Sequence, residues 1–296
     1  MTERIIDLSF EPARLHVSLE RLVIVRNGQD DAIIPLAEVG VLLIAHRQVS
    51  LTHAVLSGIS ANGGVIVACD QRFMPVGMML PVEQHHLQAE RFLRQAQAPA
   101  PLRKRLWRQI VRAKIKAQAR LLVNFRKNDF GLAALRAKVR SGDPENVEAQ
   151  AARRYWPALF DSAEFKRNRE AQDQNRLLNY GYGVLRAVIA RAVCAAGLHP
   201  SLGLHHHNRY DAFCLADDLM EPFRVIVDRA VLHIVLQYGP QVALDRSAKA
   251  PLTRALFDRI PIEGESRSVF DAAAHTASSL ASVYCGETKN LLLPDL

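Results

Sequence analysis

The apolar residues of this chain change their period once, near residue 81, and that change limits the fold more than any other feature. Up to residue 80 they come in short alternating or β-branched runs, at residues 14–20, 22–26, 32–35, 39–44, 65–68 and 74–79, and Asn27-Gly28 marks a turn. In this part only residues 51–61 carry helical spacing, and they stop at Asn62-Gly63-Gly64, a helix-ending sequence. Beyond Pro81 the period is 3.6 and strand signals are rare. Pro99 and Pro101 precede a long helix predicted over residues 102–125. Further helices are predicted over 144–156, 174–196, 219–238, 248–259 and 266–284. The expected fold is α+β: a small N-terminal β-sandwich or β-roll domain over residues 1–80, then a larger all-α domain over residues 81–296. No tandem repeat interrupts this plan.

No stretch approaches the ~18 uninterrupted apolar residues of a spanning helix. The greasiest segment, residues 184–198, is broken by Arg186 and Arg191, so no membrane association is expected. Asp7 and Glu11 stand where a signal peptide would be apolar, and Cys69, Cys194, Cys214 and Cys285 are too scattered for a zinc knuckle or disulfide framework. A reducing cytoplasm is the expected setting. The charge is more telling. Of 38 Lys and Arg residues, twelve fall within residues 91–127, which hold no Asp or Glu. On the predicted helix, Arg105, Arg108, Arg112 and Lys116 recur at spacings of three and four, on a different stripe from Leu106, Ile110, Ala117 and Leu121. A merely solvated face usually mixes signs to gain i,i+4 pairs, so an acid-free stripe favours contact with nucleic-acid phosphates.

Three segments carry candidate chemistry. Asp143-Pro144 predicts a helix start with Asp143 as N-cap, one turn ahead of Glu148. Glu148 then shares a face with Ala151, Ala152 and Tyr155, where a carboxylate wants either an arginine or an ion. In His205-His206-His207-Asn208-Arg209, neighbouring side chains diverge, so the three histidines cannot all reach one ion. In Asp217-Asp218-Leu219-Met220-Glu221-Pro222, Asp218 and Glu221 share a helix face. A capping-box variant accounts for that pair but leaves unexplained Asp217 and the histidines a dozen residues upstream. Two or three carboxylates with one imidazole suit Mg²⁺ or Mn²⁺ better than Zn²⁺ or Ca²⁺. An acidic metal site together with a basic helix suggests phosphodiester chemistry.

Four segments in order, spread over residues 148–224, resemble one family. Glu148-Ala149-Gln150-Ala151-Ala152-Arg153-Arg154-Tyr155-Trp156 is similar to its E-G/A-x-A-A-R-x-Y-F/W segment. Asn175-Arg176-Leu177-Leu178-Asn179-Tyr180-Gly181-Tyr182 is similar to N-x-L-L-x-Y-G-Y. Gly203-Leu204-His205-His206 and Ala216-Asp217-Asp218-Leu219-Met220-Glu221-Pro222-Phe223-Arg224 resemble G-x-L-H and L-D-L-M-E-x-F-R. The family is CRISPR-associated protein one, the spacer-acquisition integrases. The wording of the last two segments is most like the branch that accompanies the single-protein RNA-guided effector nuclease (type II).

The resemblance implies a metal site of Glu148, one histidine and Glu221, with Asp218 assisting, loaded with Mg²⁺ or Mn²⁺. Counting back from Arg209 and from Glu221 assigns the histidine to His206, with His205 in reserve. The implied reaction is attack by the 3′-hydroxyl of a short foreign DNA fragment on a phosphodiester at the leader–repeat border of a CRISPR array. Water as nucleophile would give endonuclease activity instead. The implied partners are double-stranded DNA (incoming fragment and repeat), CRISPR-associated protein two, and a second copy joined through the β domain, two such dimers per partner dimer, with the effector nuclease as a further candidate. Phosphate clamping by Arg105, Arg108, Arg112 and Lys116 is read from charge and not from the family. Two rivals are a non-catalytic basic DNA-binding scaffold and a metal-dependent hydrolytic nuclease outside spacer acquisition.

Overall fold

β-Branched runs separated by turn residues make strands, and the N-terminal part follows that rule. In the computed structural model, which describes residues 3–71, 73–81, 83–168 and 170–296, the strands there are β1 (Arg4–Leu8), β2 (Ala13–Ser18), β3 (Arg21–Val25), β4 (Ala32–Pro35), β5 (Val39–Ile44), β6 (Val49–Leu51), β7 (Val65–Cys69) and β8 (Pro75–Met79). Helix α1 (His53–Ala61) connects β6 to β7. One sheet has the order β1-β5-β7-β8, parallel except for β8. The other has the order β4-β3-β2-β6, antiparallel except for the β2–β6 pair.

The β1-β5-β7-β8 sheet separates two cores. Leu42 of β5 and Ile66 of β7 pack toward the second sheet, among Leu15, Leu22 and Ile59. Val41 and Leu43, with Val65 and Val67, face the other way and join the core of the helices. Strands covered on both faces lose the apolar–polar alternation of a half-buried strand, which is why residues 39–44 read as one continuous run.

The rest of the chain is mainly helical, though not all-α as expected, since it also holds one hairpin: its helices are α2 (Gln88–Ala96), α3 (Ala100–Arg126), α4 (Leu132–Lys138), α5 (Val147–Phe160), α6 (Asn175–Ala195), α7 (Cys214–Met220), α8 (Arg224–Tyr238), α9 (Arg246–Ala255) and α10 (Val269–Tyr284). α6 is buried around most of its circumference, so it forms the centre of this part. Gly181 lets α8 approach it closely, since a Cβ there would stand 2.4 Å from Val227 Cγ1.

Two predicted helices are shorter than expected. A hairpin of β9 (Arg259–Ile262) and β10 (Glu265–Ser268) replaces the end of the 248–259 helix and the start of the 266–284 helix. Its turn, Glu263-Gly264, has both φ values positive (53° and 76°), and the four-residue strands around it are too short to outweigh the helical signal on either side. The 219–238 helix is broken by a 3₁₀ turn at Glu221–Phe223, where Pro222 offers no backbone N–H to a continuous helix. Among the described residues, no helix is long and apolar enough to cross a membrane.

Candidate functional site

Glu148 enters the site on the first turn of α5. The chain reaches that turn through Asn146 in the left-handed region (φ 50°), whose side chain accepts from the Ala149 N–H at 3.2 Å. Asp143 accepts from the N–H groups of Val147 and Glu148, both at 2.9 Å. The helix therefore starts three residues later than the Asp143-Pro144 signal predicts. Asn146 is its N-cap, Pro144 lies in the preceding turn, and Asp143 still satisfies first-turn amides.

Glu221 comes from the 3₁₀ turn between α7 and α8. Its Oε2 is 2.6 Å from Lys114 Nζ, and Glu148 Oε1 is 2.5 Å from the same nitrogen. The two carboxylate oxygens therefore cannot be further apart than those distances laid end to end, about 5 Å, well inside one helix diameter. Arg224 reaches Glu221 Oε1 at 2.9 Å. Burial alone would push the Glu221 carboxyl up, but Arg224 and Lys114 outweigh it and hold it at about 2. Burial alone would likewise lower the Lys114 ammonium, yet Glu221 and Glu148 raise it above its ordinary value. Glu221 Oε2 is shielded from water, and its contact with Lys114 is an ion pair.

A second layer holds Arg224. Its guanidinium lies over the Tyr182 ring, 4.6 Å from the centroid. The Tyr182 and Tyr155 hydroxyls donate to the two oxygens of Asp228, Tyr155 at 2.7 Å. Asp228, on α8, is buried, so this triad ties α5, α6 and α8 together behind the carboxylate pair. Two tyrosines of the sequence motifs thus share one buried acceptor.

The histidine loop is shaped by Asp218, a fully buried residue of α7. Its Oδ2 accepts from the N–H groups of Leu204 (2.6 Å) and His205 (2.9 Å), and its Oδ1 from that of His206 (3.2 Å). Gly203 allows the chain to fold this tightly, since a Cβ would lie 2.2 Å from the His206 carbonyl oxygen. Asp218 and Glu221 are therefore not a capping pair: Asp218 lies late in α7 and serves the loop. His206 Nδ1 stands 2.6 Å from Asp218 Oδ1, a hydrogen bond that raises the His206 pKa and leaves Nε2 as the nitrogen for another partner. His205 instead lies flat on Trp107, with ring centroids 4.3 Å apart and planes at 1°, and burial lowers its pKa. Asp217 turns away to grip Arg186.

As placed, no three His, Cys, Asp or Glu side chains among the described residues converge in metal-ligating geometry. Glu148 and Glu221 converge on a cation, while His206, close enough for its charge to act on Glu221, is engaged by Asp218. The donor set still suits a hard divalent ion: two carboxylates already share one cation, a buried carboxylate oxygen faces it, and an oriented imidazole is near.

The basic stripe is elsewhere on α3. Arg105, Arg108, Arg112 and Lys116 line a cleft with Arg136 of α4 and Asp295. Arg108 also donates to the Val139 carbonyl (3.1 Å), and Lys116 is ion-paired with Asp295, as is Arg120. Burial, then the charges of Arg108 and Arg136, lowers the Arg112 pKa. At about 100° per residue, Lys114 and Trp107 project roughly 120–180° away from this stripe, so the cleft and the carboxylate pair occupy different faces of α3. Lys114, Arg224 and Asp228 escaped the sequence reading. Lys114 was detectable in principle: seven residues after Trp107, it is a lysine on the buried face of its helix.

The family model described as CRISPR associated protein Cas1 matches residues 8–239. The CRISPR-associated endonuclease Cas1 of Neisseria meningitidis serogroup C (strain 8013) is 37% identical over 287 residues, covering 96% of this chain and 93% of that protein. Among solved structures, a casposase bound to integration product superposes with a TM-score of 0.79 at 20% identity, covering 97% of this chain and 92% of that one. A Cas6-RT-Cas1–Cas2 complex matches with a TM-score of 0.78 at 16% identity, over 100% of this chain and 36% of that one.

Proposed function

This chain belongs to the Cas1 family, and from that premise we propose that it is a metal-dependent DNA integrase and endonuclease of CRISPR adaptation. The reaction joins the 3′-hydroxyl of a short foreign fragment to a phosphodiester at the leader–repeat border of the array. One phosphorus–oxygen bond forms as another breaks, and the displaced 3′-oxygen takes up the proton the nucleophile loses. Bond number is conserved, so no nucleotide hydrolysis is needed. With water as nucleophile, the same site cleaves.

The observation that carries this reading is the convergence of Glu148 and Glu221 on one cation beside an oriented His206. A bound Mg²⁺ or Mn²⁺ would supply Lewis acidity to the attacking oxygen and offset charge on the scissile phosphate. Glu148, Glu221 and the Nε2 of His206 are the groups that would hold it. Asp218 assists by fixing the ring of His206 through Nδ1, in the way carboxylates orient metal-ligating histidines. Arg224 keeps Glu221 ionised and aimed, and the Asp228–Tyr155–Tyr182 triad braces Arg224 and α5.

Arg105, Arg108, Arg112 and Lys116 would clamp duplex phosphates away from the reacting bond, positioning DNA without reading its sequence. In this reading the N-terminal part, residues 1–80, joins two copies, residues 81–296 carry the chemistry, and two dimers flank a dimer of Cas2 in the cytoplasm. The Cas1–Cas2 complex among the structural relatives supports the Cas2 assignment, and the type II likeness of the sequence motifs makes the effector nuclease a candidate partner.

The test is strand transfer of a labelled short duplex into a supercoiled plasmid bearing the repeat, with Cas2 and Mn²⁺. Joined product from the wild type, lost to background in Glu148→Ala and Glu221→Ala, is the expected result. Shortened fragments without joined product would favour a hydrolytic nuclease outside spacer acquisition. DNA binding with no product would favour a non-catalytic scaffold in which Glu148 serves only its lysine.

A further inference from the structure

Lys114 stands where a cation is wanted and where a helix would not ordinarily put a lysine. It projects from the buried face of α3, between the phases of Ile110 and Gln118, and its side chain is only 13% exposed. A lysine stem can usually bend its ammonium out to water. This one is held instead by two carboxylates from distant parts of the chain, at 2.5 Å and 2.6 Å. Without it, Glu148 and Glu221 would face each other as like charges within a few ångströms, with Arg224 engaged on one of them alone.

We propose that Lys114 is the resident cation of this carboxylate pair, holding it in register in the metal-free protein, and that a divalent ion binds by displacing the ammonium. The inference rests on the metal-site reading given above. Charge counting supports displacement over sharing. Glu148 and Glu221 are balanced by Lys114 and Arg224, so this four-residue cluster is neutral as folded. A divalent ion entering beside a retained ammonium would leave two positive charges in excess in a poorly hydrated space, whereas release of Lys114 halves that excess. The contacts also differ in permanence. Arg224 is fixed by its stack on Tyr182, but the Lys114 ammonium ends a flexible four-carbon stem and, among the described residues, engages only the two carboxylates. The lysine therefore does two things at once: it stabilises the empty site, and it sets the metal concentration needed to fill it.

The experiment is direct titration of metal-free protein with Mn²⁺, without DNA, followed by calorimetry and by the paramagnetic resonance of free Mn²⁺. Lys114→Met keeps the stem and removes the charge. It is expected to bind Mn²⁺ at least about tenfold more tightly than wild type, to melt at a lower temperature without metal, and to gain more in Tm on Mn²⁺ addition. Equal or weaker Mn²⁺ binding by Lys114→Met would overturn the displacement. A measurement on the wild type covers the case in which Lys114→Met fails to fold. Amine acetylation read by mass spectrometry should increase at Lys114 when Mn²⁺ is added, and labelling that is unchanged or slower overturns the inference. Glu148→Gln separates the two levels. If it abolishes Mn²⁺ binding while Lys114→Met leaves affinity unaltered, the metal site stands and the role of Lys114 falls. If the wild type binds no Mn²⁺ at all, both fall.

Discussion

Asp228 accepts two tyrosine hydroxyls where water cannot reach, and that environment makes it the residue with the clearest pH signature. Burial pushes its carboxyl up to about 6, an effect that the hydroxyls of Tyr182 and Tyr155 and the charge of Arg224 only partly offset. In the unfolded chain the group returns to its ordinary value of 3.8. Between those two values the folded protein keeps a proton that the unfolded chain has lost. The stability contributed by this group is therefore complete below the unfolded value and is lost as pH rises through about 6. Asp228→Asn is permanently neutral and should flatten that limb of the stability profile, by an amount on the order of 2–3 kcal/mol between about pH 4 and pH 7. Urea unfolding at several pH values measures it, and equal slopes in both proteins would assign the proton elsewhere. Asp218 works through geometry instead. Asp218→Asn turns an amide toward backbone N–H groups that need acceptors, costing about 1–3 kcal/mol. It also frees the His206 ring, so Mn²⁺ affinity should fall by roughly 10–100-fold, as for other orienting carboxylates. Unchanged affinity in a direct titration would remove Asp218 from the site.

α3 is the element that links the two kinds of chemistry, because its faces do different work. Its outer stripe was legible in the sequence, since Arg105, Arg108, Arg112 and Lys116 repeat at helical spacing without acids between them. The Lys114 ion pairs were not, because their partners, Glu148 and Glu221, lie on other elements that only folding brings near. The same distinction runs through the site. Glu148 could be placed on a first turn because N-terminal signals are local, although the cap proved to be Asn146. The 3₁₀ turn at Glu221 follows from Pro222, a local cause, but the loop wrapped on Asp218 depends on hydrogen bonds that reach 12 to 14 residues along the chain, which no periodicity encodes. The two-faced helix yields its own prediction. Removing one phosphate contact should reduce the slope of log K against log salt for DNA binding by about 1, so Arg105→Ala and Arg112→Ala should each do so across unrelated sequences. Lys116→Ala should have a smaller effect, because Asp295 already engages that ammonium. Mn²⁺ binding by all three should match the wild type, since the proposed metal site lies on the opposite face. Fluorescence anisotropy across a NaCl series tests the slopes, and unaltered slopes in Arg105→Ala and Arg112→Ala would take the DNA contact off this stripe.

At the scale of the whole molecule, the change of period near residue 81 marks a change of secondary structure, but the packing does not stop there. Val41, Leu43, Val65 and Val67 belong to the N-terminal strands by sequence and to the helical core by contact. Polar ties reinforce the junction: Tyr180 of α6 donates to Asp7 of the β1 strand at 2.7 Å, and Arg191 donates to the Gly63 carbonyl at 2.7 Å. Lys249 of α9, almost wholly buried, completes it by placing its ammonium 3.4 Å from the Phe73 ring centroid. A sheet covered on one face by strands and on the other by helices cannot lose either cover without exposing apolar surface, so the two parts should unfold together. The chain offers a clean reporter, because both of its tryptophans, Trp107 and Trp156, lie in the helical part. Leu15 lies fully buried in the other core, between the sheets. Leu15→Ala should cost about 2–5 kcal/mol, and with one cooperative unit the tryptophan-monitored midpoint must fall in step with the far-ultraviolet signal. A tryptophan midpoint that stays in place while part of the far-ultraviolet signal melts early would mean that the helical part keeps its fold without the sheet.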